Sequence, residues 1–142
     1  MDSTKKFILL VDDDEDDRIF FQEALDDLGN PVLFKSVEHG LDAITKLENE
    51  VLPTAIFLDL NMPVLDGHEC LKQIRSNTVY DDVKIIIYST SYNPEVAEIL
   101  KKDGANHYIR KPSNYSILKN TISTALEILS SNLQYQNFLI TT

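Results

Sequence analysis

The chain has a single cysteine, Cys70, so it cannot form an internal disulfide bond. It is also poor in basic residues, with 13 Lys and Arg against 23 Asp and Glu and a formal net charge of −10. This balance provides no net attraction for nucleic-acid phosphates, and we expect no nucleic-acid partner. The apolar run near the N-terminus, residues 7–11, is too short for a signal peptide or a membrane span. These absences predict a cytoplasmic protein that has no membrane partner.

The length of the chain, 142 residues with 43% hydrophobic content, is that of one domain with its own core. We therefore expect a single domain over residues 1–142, with a core of about 5–131 and a C-terminal tail, 132–142. The apolar and aromatic residues of the tail are Tyr135, Phe138, Leu139 and Ile140. They predict a tail that packs on its own domain or frays, and the alternative is that it extends a dimer or partner face.

Short apolar runs alternate with segments of helical spacing along the whole chain. The predicted strands are Phe7–Val11, Val32–Val37, Ala55–Leu58, Val83–Tyr88 and His107–Arg110. A helix follows each strand, the first from about Glu15 to Leu28 and the last from about Asn114 to Ser131. Such alternation favours the α/β class, with a doubly wound, five-stranded parallel sheet and five helices on its two faces.

Polar residues follow four of the five predicted strands. Asp12 and Asp13 follow the first strand, Asp59 ends the third, Ser89 ends the fourth and Lys111 ends the fifth. Each of them alone would be unremarkable, as a helix cap, a turn residue, a polar loop or a surface lysine. The carboxyl ends of parallel strands lie on one edge of a sheet, however, so we expect these side chains to meet in one crevice.

Three carboxylates in one crevice repel each other unless a cation lies among them. Mg²⁺ prefers oxygen ligands and keeps several of its waters, so we expect Asp13 and Asp59 as direct ligands and Asp12 acting through water. The backbone carbonyl of Asn61 is a candidate to complete the site. The three histidines are scattered and lack the ligand spacing of a zinc site.

A site of this composition suits phosphoryl transfer, in which positioning and neutralisation of negative charge dominate. Asp59 would be the nucleophile, and Lys111 would hold an oxygen of the transferred group as a point charge. The Ser89 hydroxyl would donate a hydrogen bond that forms only when a phosphoryl group is present. Movement of Ser89 would therefore report occupancy of the site.

Four motifs in this order resemble the receiver domain of two-component response regulators, of the stand-alone type found in chemotaxis. They are LLVDD, FLDLNMPVLDG, IIIYST and YIRKP, and the resemblance covers about residues 5–130. It implies a flavodoxin-like fold with strand order 2-1-3-4-5. It also implies residue roles: Asp59 as phosphoacceptor, Asp12 and Asp13 as magnesium acids, Ser89 as switch hydroxyl and Lys111 as phosphate lysine.

The resemblance also assigns a role to Tyr108, which matches an aromatic residue that the family turns inward on activation. The alternative is a half-buried tyrosine on an edge strand with no switching role. The family commonly has a cis peptide bond at the position of Lys111–Pro112, which the sequence permits.

The partners that the resemblance implies are a sensor histidine kinase or phosphotransfer protein and a downstream protein. Either a monomer or a homodimer is expected, the latter through helix 4, strand 5 and helix 5 or through the C-terminal tail. The protein would not be an enzyme with a separate substrate turnover. One alternative is a phosphorylation-independent binding scaffold, and another is an aspartyl-phosphate hydrolase. Hydrolases of that kind require a second acid two residues after the nucleophile, where this chain has Asn61.

Overall fold

The computed structural model describes residues 6–131 and 137–141. Five parallel strands form one sheet in the order β2-β1-β3-β4-β5. The strands are β1 (Lys6–Val11), β2 (Val32–Val37), β3 (Ala55–Leu58), β4 (Lys84–Ser89) and β5 (His107–Arg110). The helices are α1 (Glu15–Leu28), α2 (Gly40–Asn49), α3 (Gly67–Arg75), α4 (Pro94–Lys102) and α5 (Tyr115–Ser130). The predicted fold class and strand order are confirmed.

Three elements have boundaries that differ from the predictions by one residue. Strand β1 begins at Lys6 instead of Phe7, and β4 is displaced by one residue to Lys84–Ser89. Helix α5 lacks both predicted end residues because Asn114 is its N-cap and Ser131 its C-cap. The structure also contains a 3₁₀ turn, Thr78–Tyr80, which was not predicted.

Helix α1 begins directly after the strand end that supplies two of the candidate residues. Asp14 caps it by accepting a hydrogen bond from the backbone N of Asp17 at 2.9 Å. Gly29 ends it with φ of +74°, a left-handed conformation that glycine adopts at little cost. Because α1 starts only three residues after Asp12, its first turn faces the carboxyl edge of the sheet.

The two faces of the sheet bury separate hydrophobic clusters, as the alternation of side chains along a strand requires. Leu9, Ile56, Leu58 and Ile85 belong to the cluster that α2, α3 and α4 cover. The second cluster lies under α1 and α5 and contains Ile8, Leu10, Phe57, Ile86 and Ile109. Both faces are closed, so the chemistry-capable side chains at the strand ends are left at the edge. Throughout the described part of the chain, no helix has the length and apolarity needed to span a bilayer.

The described part of the C-terminal tail, residues 137–141, packs against its own domain. Leu139 forms a parallel β-bridge with Tyr108. The backbone N of Tyr108 donates to the carbonyl of Phe138 at 2.9 Å, and the N of Ile140 donates to the carbonyl of Tyr108 at 2.9 Å. The side chain of Ile140 is 2% exposed and joins the cluster under α1 and α5. This segment therefore covers the outer edge of β5. Tyr135 lies outside the described residues.

Replacing Ile140 tests whether this segment is docked in solution. We expect Ile140→Ala to lower the free energy of unfolding by about 2 kcal/mol, the low end for a buried isoleucine, because a terminal segment can detach once its anchor is lost. Urea unfolding measures the change, and Thr141→Ala, at an exposed position, is the matched control. An Ile140→Ala variant as stable as the wild type would show that the segment is not docked.

Candidate functional site

The carboxyl edge of the sheet brings together the residues that the sequence placed at strand ends. The β1–β3 register pairs Val11 with Leu58, so Asp12 and Asp59 follow side by side. The backbone N of Asp59 donates to the carbonyl of Val11 at 3.0 Å. On the other side of β4, the N of Lys111 donates to the carbonyl of Ser89 at 2.8 Å. Parallel register thus places all these residues in one crevice.

Asp12, Asp13 and Asp59 form a compact group of carboxylates. Each offers a ligand oxygen, and these oxygens lie within 4.8 Å of one another. Asp12 is fully buried and Asp59 is 5% exposed, while Asp13 is open to solvent. One side of the group is therefore enclosed and the other remains accessible, which suits a hard cation that keeps part of its water shell.

Asp12 is held through both of its carboxylate oxygens. Oδ2 is buried and makes an ion pair with Lys111 Nζ at 2.8 Å. The other oxygen, Oδ1, accepts from the backbone N of Asp14 at 3.0 Å. Lys111 supplies one positive charge to a group of three carboxylates, and a further cation would offset their remaining repulsion. The donor set therefore fits an oxygen-preferring divalent cation.

Lys111 is the cation that lies among these acids. Its side chain is 8% exposed, and Nζ lies 2.8 Å from Asp12 Oδ2, 2.7 Å from Asp17 Oδ2 and 3.8 Å from Asp59 Oδ1. Burial alone would lower the pKa of Lys111, but its contacts with Asp12 and Asp17 outweigh burial and raise it. Lys111 is thus a fixed positive charge at the site.

The carboxyl group of Asp59 is hard to ionise in this setting. Burial, opposed by the charge of Lys111 and reinforced by that of Asp12, raises its pKa from 3.8 to about 7. Burial likewise raises the pKa of Asp12, despite its contact with Lys111. A cation beside these groups would favour their charged forms.

The loop after β3 contacts the carboxylate of Asp59. The backbone N of Asn61 donates to Asp59 Oδ1 at 3.4 Å. The N of Gly67 donates to the carbonyl of Leu60 at 3.0 Å, which folds the loop back on itself. Asp66 and Glu69 form a reciprocal capping box that starts α3 directly afterwards. The loop is thereby held at both ends.

Ser89 is the last residue of β4, and Tyr108 lies in the neighbouring strand β5. Ser89 is fully buried, and its Oγ lies 3.3 Å from Ser91 Oγ. The Tyr108 hydroxyl donates to the carbonyl of Ser91, and its ring lies edge-on to Tyr92 and Phe138. Tyr108 is 1% exposed, so the alternative of a half-buried edge tyrosine is wrong about its burial. No peptide bond among the described residues is cis, and Lys111–Pro112 is therefore trans.

Two residues contact Lys111 that sequence reasoning did not assign to the site. Asp17 lies in the first turn of α1 and makes an ion pair with Lys111. The ring of Tyr88 lies 5.2 Å from Lys111 Nζ and packs beneath it. The sequence places Asp17 in the first turn of α1, but only the three-dimensional position of Lys111 identifies its partner.

Comparison with known proteins agrees with this geometry. The response regulator receiver domain family matches residues 8–123 of the chain. A chemotaxis protein CheY homolog of Campylobacter jejuni is 30% identical over 119 residues, which cover 84% of this chain and 91% of that protein.

Two solved structures have closely similar folds. The phosphorylated cyanobacterial phytochrome response regulator RcpA is 30% identical, with a TM-score of 0.83 over 94% of this chain and 100% of that one. The Mn²⁺-bound form of response regulator Rcp1 is 27% identical, with a TM-score of 0.80 over 91% of this chain and 97% of that one. The fold, the sheet-edge acids and these matches together establish that the chain belongs to the response regulator receiver domain family.

Proposed function

We propose that this receiver domain is a phosphorylation-dependent switch in which Asp59 accepts a phosphoryl group from a sensor histidine kinase or a phosphotransfer protein. The observation that supports this most directly is the position of Asp59, a nearly buried carboxylate 3.8 Å from Lys111 Nζ and grouped with Asp12 and Asp13. Receiver domains are signalling switches and not enzymes with an independent substrate, so turnover of a free phosphoester is not part of the proposal.

The reaction is a displacement at phosphorus. An Asp59 carboxylate oxygen attacks the phosphorus of the donor phosphohistidine and forms a P–O bond. The P–N bond breaks, and its electron pair leaves with the imidazole nitrogen. Asp59 must be ionised to attack, and since its pKa is raised to about 7 by burial, a cation near it increases the reactive fraction.

The residues proposed to hold Mg²⁺ are Asp12, Asp13, Asp59 and the backbone carbonyl of Asn61. When bound, the ion would neutralise charge on the phosphoryl oxygens. The grouping of the Asp12, Asp13 and Asp59 carboxylate oxygens within 4.8 Å of one another supports this assignment. Lys111 has a separate part, to donate a hydrogen bond to a phosphoryl oxygen, for which its buried ammonium is suited.

Ser89 and Tyr108 are proposed to transmit occupancy of the site. The Ser89 hydroxyl would leave Ser91 and donate to the phosphoryl group, since a charged acceptor forms the stronger hydrogen bond. Tyr108 contacts the same residue through the Ser91 carbonyl, so a shift of this loop reaches β5. The two side chains thereby link the crevice to the face formed by α4, β5 and α5.

This α4–β5–α5 face is the proposed partner surface. Helix α4 exposes Val96 and Ile99, which are 42% and 50% accessible, beside the tail segment on β5. A downstream protein or, in a homodimer, a second copy would bind there or through the tail. We further propose one receiver domain with a core of about 5–131 and a tail of 132–142, working in the cytoplasm and without nucleic-acid or membrane partners.

Intact-mass analysis with acetyl phosphate tests the proposal. We expect wild type to gain one phosphoryl group in the presence of Mg²⁺ and none with EDTA, and Asp59→Asn to gain none. Asp82→Asn is the matched control, because Asp82 is exposed in the segment that precedes β4, at the other edge of the sheet. Equal labelling of Asp59→Asn, or no labelling of wild type with Mg²⁺, would contradict the assignment of Asp59.

A further inference from the structure

The contact between Asp17 and Lys111 joins the first turn of α1 to the end of β5. Lys111 Nζ donates to Asp17 Oδ2 at 2.7 Å, the shortest of its three carboxylate distances. The side chain of Asp17 is 32% exposed, whereas that of Lys111 is 8% exposed. Asp17 therefore reaches the ammonium group from the solvent side of the crevice.

The position of the ammonium suits an occupied site better than an empty one. At 3.8 Å from Asp59 Oδ1 it is too distant to donate a hydrogen bond to that carboxylate. A phosphoryl group on Asp59 carries its oxygens beyond the carboxylate, where the same ammonium can reach them. Lys111 is thus held near the acceptor without a hydrogen bond to it.

Asp12 and Asp17 are the two carboxylates nearest to the Lys111 ammonium, and they differ in their relation to the proposed Mg²⁺ site. Asp12 belongs to the carboxylate group proposed to bind Mg²⁺, so a bound cation competes with Lys111 for it. Asp17 is not a member of that group. It can therefore keep its contact with Lys111 whether or not a cation is bound.

We propose that Asp17 is a positioning residue that fixes the Lys111 ammonium for the phosphoryl group on Asp59. This inference rests on the proposed function. A lysine has a flexible stem, and ordering it during the reaction would slow phosphoryl transfer. The ion pair with Asp17 and the contact with the Tyr88 ring restrict the lysine side chain before the phosphoryl donor binds.

The first measurement follows phosphorylation by acetyl phosphate at saturating Mg²⁺. We expect Asp17→Ala to lower the maximal rate by about tenfold, a typical loss for one charge-assisted contact, without changing the Mg²⁺ affinity measured by calorimetry. Asp17→Glu should recover much of the rate because it restores a carboxylate. Asp16→Ala removes the same charge from an exposed neighbouring position and should react as wild type does.

The second measurement does not depend on phosphorylation. Lysine ammonium signals in ¹H–¹⁵N spectra with Mg²⁺ present should include a slowly exchanging Lys111 signal, identified by its loss in Lys111→Arg. We expect its hydrogen exchange to quicken at least several-fold in Asp17→Ala and to stay slow in Asp16→Ala, since only the former loses a protecting hydrogen bond.

The outcomes separate the two proposals. Failure of the wild type to gain a phosphoryl group would contradict the proposed function itself. A wild type that is phosphorylated, with Asp17→Ala equally fast or with Asp16→Ala equally slow, would overturn the role of Asp17. Unchanged ammonium exchange in Asp17→Ala would overturn it as well.

Discussion

Gly67→Ala is expected to destabilise the protein by about 3 kcal/mol or more and to lower its melting temperature by about 10 °C. An alanine Cβ at this position would lie 2.2 Å from the carbonyl oxygen of Asp59, 2.7 Å from Leu60 Cα and 2.9 Å from the carbonyl carbon of Asp59. All three atoms belong to the backbone, so no side-chain rotation can relieve the overlap. The loop that holds Asp59 must move instead.

Gly29→Ala is the matched control for this variant. Gly29 has φ of +74° and no atom within 4 Å of a built Cβ, so its substitution brings only left-handed strain, about 1 kcal/mol. Thermal melts with and without Mg²⁺ compare the two variants. We expect Gly67→Ala to lose most of the stabilisation by Mg²⁺ because Asp59 is displaced, and Gly29→Ala to keep it. A Gly67→Ala variant that melts as high as Gly29→Ala would contradict the close packing of this loop.

Asp59→Asn is expected to be more stable than the wild type at about pH 8 without divalent cations, by about 3 kcal/mol. The folded protein raises the pKa of Asp59 from 3.8 to about 7 through burial, so between these values the folded state binds a proton that the unfolded state releases. The contribution of Asp59 to the free energy of unfolding is therefore most favourable at low pH and is lost as pH rises toward 7. Asparagine has no proton to lose and avoids this cost.

Urea unfolding in EDTA at about pH 4.5, 6 and 8 measures the difference between the two proteins. We expect the difference in free energy of unfolding between Asp59→Asn and wild type to be small at about pH 4.5 and to increase up to about pH 8. Burial lowers the pKa of His107, which acts in the opposite sense, but His107 is present in both proteins and its effect cancels. Asp82→Asn should show no such growth. Equal stability of Asp59→Asn and wild type at pH 8 would contradict a raised pKa of the buried Asp59 carboxyl.

The strand ends were the most predictable part of the site. Asp12, Asp59, Ser89 and Lys111 each follow an apolar run, and a parallel sheet aligns the carboxyl ends of such runs whatever the details of packing. The same local patterns predicted the five strands to within a residue. The ends of α1, capped by Asp14 and Gly29, are also local features, because capping hydrogen bonds and backbone angles depend on near neighbours.

The contacts of the site that sequence reasoning missed join distant segments of the chain. The acidic run 12–17 has six candidate partners for Lys111, and nothing local distinguishes Asp17 from Asp16. Likewise, an apolar tail can fray, bind a partner or pack on its own domain, and its composition is the same in each case. Packing of the tail segment on β5 contributes to the burial of Tyr108, because Leu139 forms a β-bridge with it.

Sequence patterns were sufficient to predict the strands, the helices and the crevice, because apolar periodicity is a local property of the chain. The pairing of Lys111 with Asp12 and Asp17, at 2.8 and 2.7 Å, and its distance of 3.8 Å from Asp59 follow only from the tertiary structure. It also decided that residues 137–141 lie on β5. Both results depend on how segments that are distant in sequence pack against each other, because small differences in distance decide which charged groups come into contact.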